Sequence, residues 1–355
     1  MADLFDNPLG TDGFEFVEFT TADPAGMAAL FETLGFTAIA RHRSKTVVRY
    51  RQGDINFLLN MEPSGQPAAF RNRHGPSANA MAFRVKDARH AFEEALKRGA
   101  TPVYGPVGPM ELNIPAIEGI GGANLYLVDR YGAQEIYDVD FIPIAGADEA
   151  GHSVGLNTLD HLTHNLFRGN MDQWAAYYEG IFGFREIRYF DIEGKLTGLV
   201  SKAMTSPCGK IRIPLNESRD DQSQIEEFLR HYNGEGIQHI ALATPDIYAT
   251  VEALRARGVP FQDTPDAYYD AIQARLPGHG EDLARLKRNR ILIDGAPSEG
   301  QGVLLQIFTT NAIGPIFFEI IQRKGNDGFG EGNFKALFES IEADQIARGV
   351  IRENA

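Results

Sequence analysis

The chain has 355 residues, of which 43% are hydrophobic and 23% are charged, a composition typical of a globular protein of about two domains with a sizeable core. Its formal net charge is −14, which argues against nucleic acid and anionic membrane surfaces as main partners, because both favour positively charged proteins. Cys208 is the single cysteine, which excludes an internal disulfide and a cysteine-rich zinc site.

The N-terminal half is predicted to contain two β-α-β-β-β units. The first begins with an alternating strand at residues 13–19, continues in a helix that stops at Gly35, and closes with three short strands up to Leu59. The second has, in order, a strand at 80–85, a helix that stops at Gly99, a loop rich in glycine and proline at 105–122, and strands at 124–128 and 135–141.

The same pattern restarts after a predicted linker at residues 142–156. The third unit has, in order, a strand at 159–166, a helix up to Ile181, strands at 186–191, 197–204 and 210–214, and a further helix at 225–232. The fourth has, in order, a strand at 237–242, a helix, a helical insertion at 266–290, and strands around 304–308 and 314–325. An amphipathic helix at 334–348 ends the chain.

A repeat relates the two halves. Asp87 precedes Gly99 by 12 residues, Asp246 precedes Gly258 by 12 residues, and each interval is a helix after an apolar strand. Four β-α-β-β-β units in two pairs resemble the vicinal-oxygen-chelate (glyoxalase-like) fold, in which paired units curl their sheets into open half-barrels with helices outside. We therefore expect an α+β protein with two pseudo-symmetric domains, residues 1–145 and 156–355, and a C-terminal lid helix.

Three polar side chains distinguish the second half from the first. Glu319 interrupts an apolar strand, so it either faces solvent or, if buried, needs a cation or a metal. His239 lies seven residues before Asp246, where the first half has Ala80, and His161 lies in a strand whose counterpart at residues 14–17 has no histidine. The counterpart of Glu319 is expected near residue 139. These differences predict one metal site in residues 156–355 and a vacant copy in residues 1–145.

Two histidines and a carboxylate form the facial triad of non-haem Fe(II) oxygenases, although manganese and zinc are also chemically compatible with them. His164 cannot share a metal with His161, because residues i and i+3 of a strand face opposite ways. The remaining histidines lie in polar segments and are expected at the surface: His42, His74, His90, His152, His231 and His279.

Several stretches resemble the 4-hydroxyphenylpyruvate dioxygenase family. They are Leu-Asp-His-Leu-Thr-His at 159–164, Gly-Ile-Gln-His-Ile at 236–240, Leu-Leu-Gln-Ile-Phe at 304–308, and the segments 314–325 and 328–338. The resemblance covers nearly the whole chain and implies one Fe(II) per chain, held by His161, His239 and Glu319.

The same resemblance implies a substrate pocket. Its polar positions, which contact or orient the substrate, are Ser201, Asn216, Gln238 and Gln306. Its aromatic walls are Phe308, Phe317 and Phe334, and Asn333 with the following helix resembles the gating helix of the family. Without the resemblance, Ser201 and Asn216 are ordinary polar strand residues and Phe317 is a core residue, whereas a buried Gln306 would need hydrogen-bond partners.

The implied reaction converts 4-hydroxyphenylpyruvate and O₂ to homogentisate and CO₂. The alternatives are 4-hydroxymandelate synthase, with the same iron site, and a non-catalytic binding module of the same fold. A homo-oligomer, dimer or tetramer, is expected. The first residues, MADLFDNPLG, lack the basic and apolar regions of a signal peptide, and no apolar run reaches about 18 residues, so we expect a cytoplasmic protein without membrane contact.

Overall fold

Two curled β-sheets with helices form the structure, a computed structural model that describes residues 2–193, 198–330, 332–333, 345 and 348. The first sheet contains β1 (Thr11–Thr20), β2 (Thr37–His42), β3 (Val47–Gln52), β4 (Ile55–Asn60), β5 (Ser77–Val85), β6 (Pro102–Val103), β7 (Ala116–Glu118), β8 (Asn124–Val128) and β9 (Phe141–Pro143). The second contains β10 (Thr158–Leu166), β11 (Arg185–Glu193), β12 (Gly198–Thr205), β13 (Arg212–Ser218), β14 (Gly236–Ala243), β15 (Leu292–Gly295), β16 (Val303–Phe308) and β17 (Phe317–Lys324).

The helices lie between these strands in the chain. They are α1 (Pro24–Thr33), α2 (Gly65–His74), α3 (Ala88–Lys97), α4 (Tyr137–Asp140), α5 (Glu149–His152), α6 (Met171–Phe182), α7 (Gln224–Tyr232), α8 (Ile247–Ala256), α9 (Asp266–Asp270), α10 (Ile272–Arg275) and α11 (Leu283–Asn289). Single 3₁₀ turns occur at Ile120–Gly122 and Pro297–Glu299. Within the described ranges, no helix is long and apolar enough to span a bilayer.

Strand order confirms the predicted pseudo-symmetry. The first sheet runs β6-β7-β8-β5-β1-β4-β3-β2-β9, and the second, written in reverse, runs β15-β16-β17-β14-β10-β13-β12-β11. Apart from β9, each strand of one sheet therefore has a counterpart in the other. Each sheet contains two β-α-β-β-β units, as the sequence predicted, with α2 and α7 joining the units of each pair.

The repeated 12-residue interval is a capped helix. The side chain of Asp87 accepts a hydrogen bond from the backbone of His90, and that of Asp246 accepts one from Ala249, so both helices have an N-cap. Gly99 and Gly258 follow the last turns with φ of 95° and 86°, a backbone region that suits glycine. Aspartate and glycine at this spacing thus set both ends of α3 and α8.

The two sheets share one hydrophobic core. The ring of Phe83 in β5 packs on Phe182 and Phe184, with centroids 5.3 and 6.1 Å away, and Phe57 in β4 lies 6.0 Å from Phe318 in β17. These aromatic contacts belong to one cluster of buried side chains that packs the two halves against each other.

Several predictions of local structure and of burial were wrong. Residues 135–141 are not one strand, because Tyr137–Asp140 forms a short helix, before which the backbone N–H of Glu135 donates to the Asp138 carboxylate. The loop at 105–122 contains β7, and α2 was missed because its sequence has few apolar positions. His74 and His279 are buried, and His74 Nδ1 donates to the carbonyl of Tyr232 over 2.7 Å. The predicted lid helix at 334–348 lies outside the described residues, apart from residues 345 and 348.

Candidate active site

Three buried side chains converge on the concave face of the second sheet. His161, His239 and Glu319 come from the neighbouring strands β10, β14 and β17. His161 is in register with Ala241, which is in register with Glu319, while His239 lies two residues before Ala241 and thus on the same face. Glu319 Oε2 is 3.1 Å from His161 Nε2 and 3.4 Å from His239 Nε2, and the two Nε2 atoms are 3.4 Å apart.

The other nitrogen of each imidazole is held by an acceptor. His161 Nδ1 donates to Asp160 Oδ1 over 2.8 Å, and His239 Nδ1 donates to Gln238 Oε1 over 2.7 Å. A proton on Nδ1 leaves a lone pair on each Nε2, on the side of Glu319. The lone pair of His239 Nε2 also accepts from the Thr163 hydroxyl over 2.9 Å. Two neutral imidazoles and one carboxylate therefore fit a divalent metal ion and leave further coordination positions open.

Charge interactions within the cluster keep Glu319 ionised, and they favour a proton on His161 that a bound metal ion would displace. Burial raises the pKa of Glu319, but the attraction of the two nearby histidines, mainly His161, outweighs burial, so its net shift is downward. Burial lowers the pKa of His161, but the Glu319 charge and the bond to Asp160 produce a net upward shift. For His239 burial dominates and the pKa is lowered.

The equivalent positions of the first sheet hold no metal ligands. Register places Phe16 opposite Ala82 and Ala82 opposite Tyr126, the same row that His161, Ala241 and Glu319 occupy in the second sheet. The counterpart of Glu319 is thus Tyr126, and the expectation of a counterpart near residue 139 was wrong, because that residue lies in α4. The rings of Phe16 and Tyr126 pack with centroids 5.7 Å apart.

His164 lies on the opposite face of β10 from His161. Its Nε2 is 2.8 Å from the hydroxyl of Tyr178 in α6, and burial lowers the pKa of His164 to about 3. It is therefore a neutral core residue between the sheet and the helix. Because side chains alternate between the two faces of a strand, the two histidines of the Leu-Asp-His-Leu-Thr-His stretch lie on opposite faces of the sheet.

Aromatic rings surround the three candidate ligands. Phe317 stacks on His239 with centroids 5.0 Å apart and an interplanar angle of 16°, and Phe308 packs edge-on against Phe317 at 6.1 Å. Sequence reasoning missed Phe329, whose ring lies 5.7 Å from His161. Phe329 lies in the glycine-rich stretch 328–334, and this composition was the sequence feature that could have indicated it. Phe334, a predicted wall residue, lies outside the described residues.

Several buried polar atoms of the expected ligand and pocket residues have no hydrogen-bond partner among the described residues. They are Ser201 Oγ, Asn333 Nδ2, Glu319 Oε1 and both side-chain polar atoms of Gln306. Asn333 Oδ1 accepts from the hydroxyl of Tyr268 over 2.6 Å, a contact that sequence reasoning also missed. Asn216 is in register with Ser201, and Gln238 bonds to His239. Buried groups of this kind are usually paired, so the face suits a polar ligand.

Comparisons with known proteins agree with this geometry. Residues 5–142 match the family model described as Hydroxyphenylpyruvate dioxygenase, HPPD, N-terminal, and residues 158–275 match the Glyoxalase/Bleomycin resistance protein/Dioxygenase superfamily. The chain is 65% identical to a Vibrio vulnificus protein named Hemolysin VllY, with 97% of this chain and 98% of that protein covered. It is 63% identical to 4-hydroxyphenylpyruvate dioxygenase of Pseudomonas aeruginosa, with 97% of each covered.

A solved structure of a variant of 4-hydroxymandelate synthase from Streptomyces coelicolor is also similar to this chain. Its TM-score is 0.81 at 27% identity, with 95% of this chain and 99% of that one covered.

Proposed function

The chain belongs to the 4-hydroxyphenylpyruvate dioxygenase family, and from this premise we propose that it is a non-haem Fe(II) dioxygenase that converts 4-hydroxyphenylpyruvate and O₂ to homogentisate and CO₂. It is an oxidoreductase acting on a small-molecule substrate. The observation that carries the metal-dependent part is the convergence of His161, His239 and Glu319 within 4.8 Å of one another.

Fe(II) is the metal that we assign to this cluster, one per chain, with both Nε2 atoms and the Glu319 carboxylate as ligands. When bound, Fe(II) supplies the Lewis acidity that holds a 2-oxo acid and the electrons that activate O₂. The protein holds both Nδ1 protons through Asp160 and Gln238, which keeps both imidazoles in the ligating tautomer.

The surrounding side chains bind the substrate and keep water away. Phe308 and Phe317 form apolar walls beside His239, and a dry site protects a reactive oxidant from side reactions. Ser201, Gln306 and Asn333 carry buried donors and acceptors that pair with polar groups of the substrate. Asn216 continues the row of Ser201. The lid expected from the sequence, Phe334 with the helix at 334–348, lies outside the described residues apart from residues 345 and 348.

Product analysis tests the proposal. Iron-reconstituted protein is incubated with 4-hydroxyphenylpyruvate and O₂, and the products are separated by chromatography, because homogentisate and 4-hydroxymandelate are isomers with the same mass. We expect homogentisate, lost on Glu319→Ala. 4-Hydroxymandelate as the product would leave the iron site unchanged but would make the protein a 4-hydroxymandelate synthase. That enzyme is the second candidate, because a synthase variant is among the similar solved structures. No iron-dependent O₂ uptake would leave a non-catalytic binding module.

The division of labour between the halves extends the proposal. We assign iron binding to residues 156–355 and a scaffolding role to residues 1–145, where Phe16 and Tyr126 take the place of two ligands. We further propose a cytoplasmic homo-oligomer, dimer or tetramer. Light scattering of the full chain measures the subunit number, and a monomer at all concentrations would refute the oligomer.

A further inference from the structure

Arg323 forms a bidentate ion pair with the carboxylate of Asp160, which is hydrogen-bonded to His161. Its Nε and Nη2 atoms donate to the two oxygens of Asp160, each over 2.7 Å, and Asp160 Oδ1 also accepts from His161 Nδ1. Burial raises the pKa of Asp160, but the Arg323 guanidinium outweighs burial and holds that pKa well below its usual range. Two parallel hydrogen bonds of this kind fix the plane of the Asp160 carboxylate, and thereby the orientation of the His161 imidazole.

The remaining nitrogen of Arg323 reaches the turn that follows β17. Nη1 donates to the carbonyls of Asn326 and Gly328, over 3.2 and 2.5 Å. This turn, residues 326–330, carries Phe329 onto the face of His161 and brings Gly330 against the side-chain amide of Gln306. The Arg323 guanidinium thus contacts both Asp160, which orients the candidate ligand His161, and the turn at 326–330, which leads to Asn333.

We propose that Asp160 and Arg323 are positioning residues: they aim His161 Nε2 at the metal and couple its orientation to the turn at 326–330. The inference rests on the proposed function, because it requires His161 to be a ligand. Coupling between two sites is reciprocal, so metal binding stabilises the turn and an ordered turn strengthens metal binding. Residues behind a ligating histidine commonly change metal affinity about 10- to 100-fold.

A second guanidinium beside Asp160 provides a matched control. Arg212 Nη1 lies 3.7 Å from Asp160 Oδ2, beyond hydrogen-bond distance, and Arg212 faces a cavity of about 350 Å³ between the two halves. It has the same charge and the same neighbour as Arg323. Its Nη2 also lies 3.6 Å from the Asp327 carboxylate of the turn. It differs from Arg323 in that neither contact, to Asp160 or to Asp327, is a hydrogen bond.

The test measures the affinity of the metal-free full-length protein for Co(II), an air-stable substitute for Fe(II), by competition with a chelator. Thermal unfolding without metal checks that each variant folds. We expect Asp160→Asn and Arg323→Gln each to weaken Co(II) binding about 10- to 100-fold, and the double variant to lose little more, because the two residues act in series. Arg212→Gln should stay within about threefold of the unsubstituted protein, since its ion pairs with Asp160 and Asp327 lack the hydrogen bonds that fix the Asp160 carboxylate.

A second measurement reads the turn itself. Hydrogen exchange of a peptide spanning 326–330 should slow when Co(II) is added to the unsubstituted protein. Arg323→Lys, which keeps the charge but cannot form the paired bonds, should bind Co(II) more weakly and lose this protection. It also replaces Arg323→Gln should that variant fail to fold.

The outcomes separate this inference from the proposed function. If the unsubstituted protein binds Co(II) tightly and Asp160→Asn and the Arg323 variants match it, the positioning role is refuted and the metal site stands. The same holds if Arg212→Gln loses as much affinity as Arg323→Gln, since charge alone would then explain both. If the unsubstituted protein does not bind Co(II), the metal site fails and the inference with it.

Discussion

The two histidines of β10 provide a paired test of the site, because they are three residues apart and face opposite ways. His161→Ala removes a group whose Nε2 lies 3.1 Å from Glu319 Oε2 and 3.4 Å from His239 Nε2. His164→Ala removes a group that contacts the hydroxyl of Tyr178 in α6. One change should act on metal binding and the other on stability.

The size of each effect follows from these contacts. Loss of a residue behind a ligating histidine weakens metal binding about 10- to 100-fold, so loss of one of three ligands should exceed about 100-fold. His164→Ala leaves the buried Tyr178 hydroxyl without its partner, which costs about 1–3 kcal/mol before any cavity is counted. That loss corresponds to a drop in melting temperature of several degrees, with Co(II) affinity unchanged.

Calorimetric titration with Co(II) and thermal unfolding of both metal-free variants are the assays. The pattern expected is a crossover: His161→Ala fails to bind the metal, while His164→Ala binds it normally but unfolds at a lower temperature. Equal loss of metal affinity in both variants would refute the argument from strand parity. Normal Co(II) binding by His161→Ala would remove that residue from the site.

Three further predictions concern buried polar groups and the turn beside them. Gln306→Leu should raise KM for 4-hydroxyphenylpyruvate about 10-fold or more without lowering the melting temperature, because the amide has no partner among the described residues. A lower melting temperature with normal KM would make this side chain purely structural. Glu18→Gln, in the vacant half, should stabilise the protein at neutral pH. Burial raises the pKa of Glu18 and outweighs the hydrogen bonds from Asn79 and Asn60 and the attraction of Lys45, so the native carboxyl is penalised once ionised. The gain should therefore vanish as pH falls below the ordinary carboxyl range. A gain that persists at low pH in thermal unfolding would contradict this. Gly330→Ala should impair activity more than Gly300→Ala, since both have φ near 75° but only the first places Cβ against Gln306. Equal kcat/KM for the two variants would show that the close approach is unimportant.

The fold was predictable from the sequence because its signals are local. Caps at Asp87 and Asp246 and glycines 12 residues later define the repeat without any knowledge of tertiary contacts. Where local signals conflict with packing, prediction failed. Residues 135–141 alternate like a strand, yet Tyr137–Asp140 is a helix, and the backbone N–H of Glu135 donates to the Asp138 carboxylate just before it.

The site was predictable in its ligand types but not in its supporting contacts. His161, His239 and Glu319 were selected by motif and by comparison of the two halves, whereas their spacing carries no information. Asp160 and Arg323 are 163 positions apart, and only the folded sheet shows that they touch. The counterpart of Glu319 was misplaced for the same reason, since strand register rather than sequence distance fixes Tyr126.

Labelled oxygen tests the central claim most directly. The iron-reconstituted protein is supplied with 4-hydroxyphenylpyruvate under ¹⁸O₂, and the product is isolated and analysed by mass spectrometry and NMR. The account predicts homogentisate with two labelled oxygen atoms, one on the ring and one in the carboxylate. A product without label, or with its labelled hydroxyl on the side-chain carbon next to the ring, would contradict the assignment as a ring-hydroxylating dioxygenase.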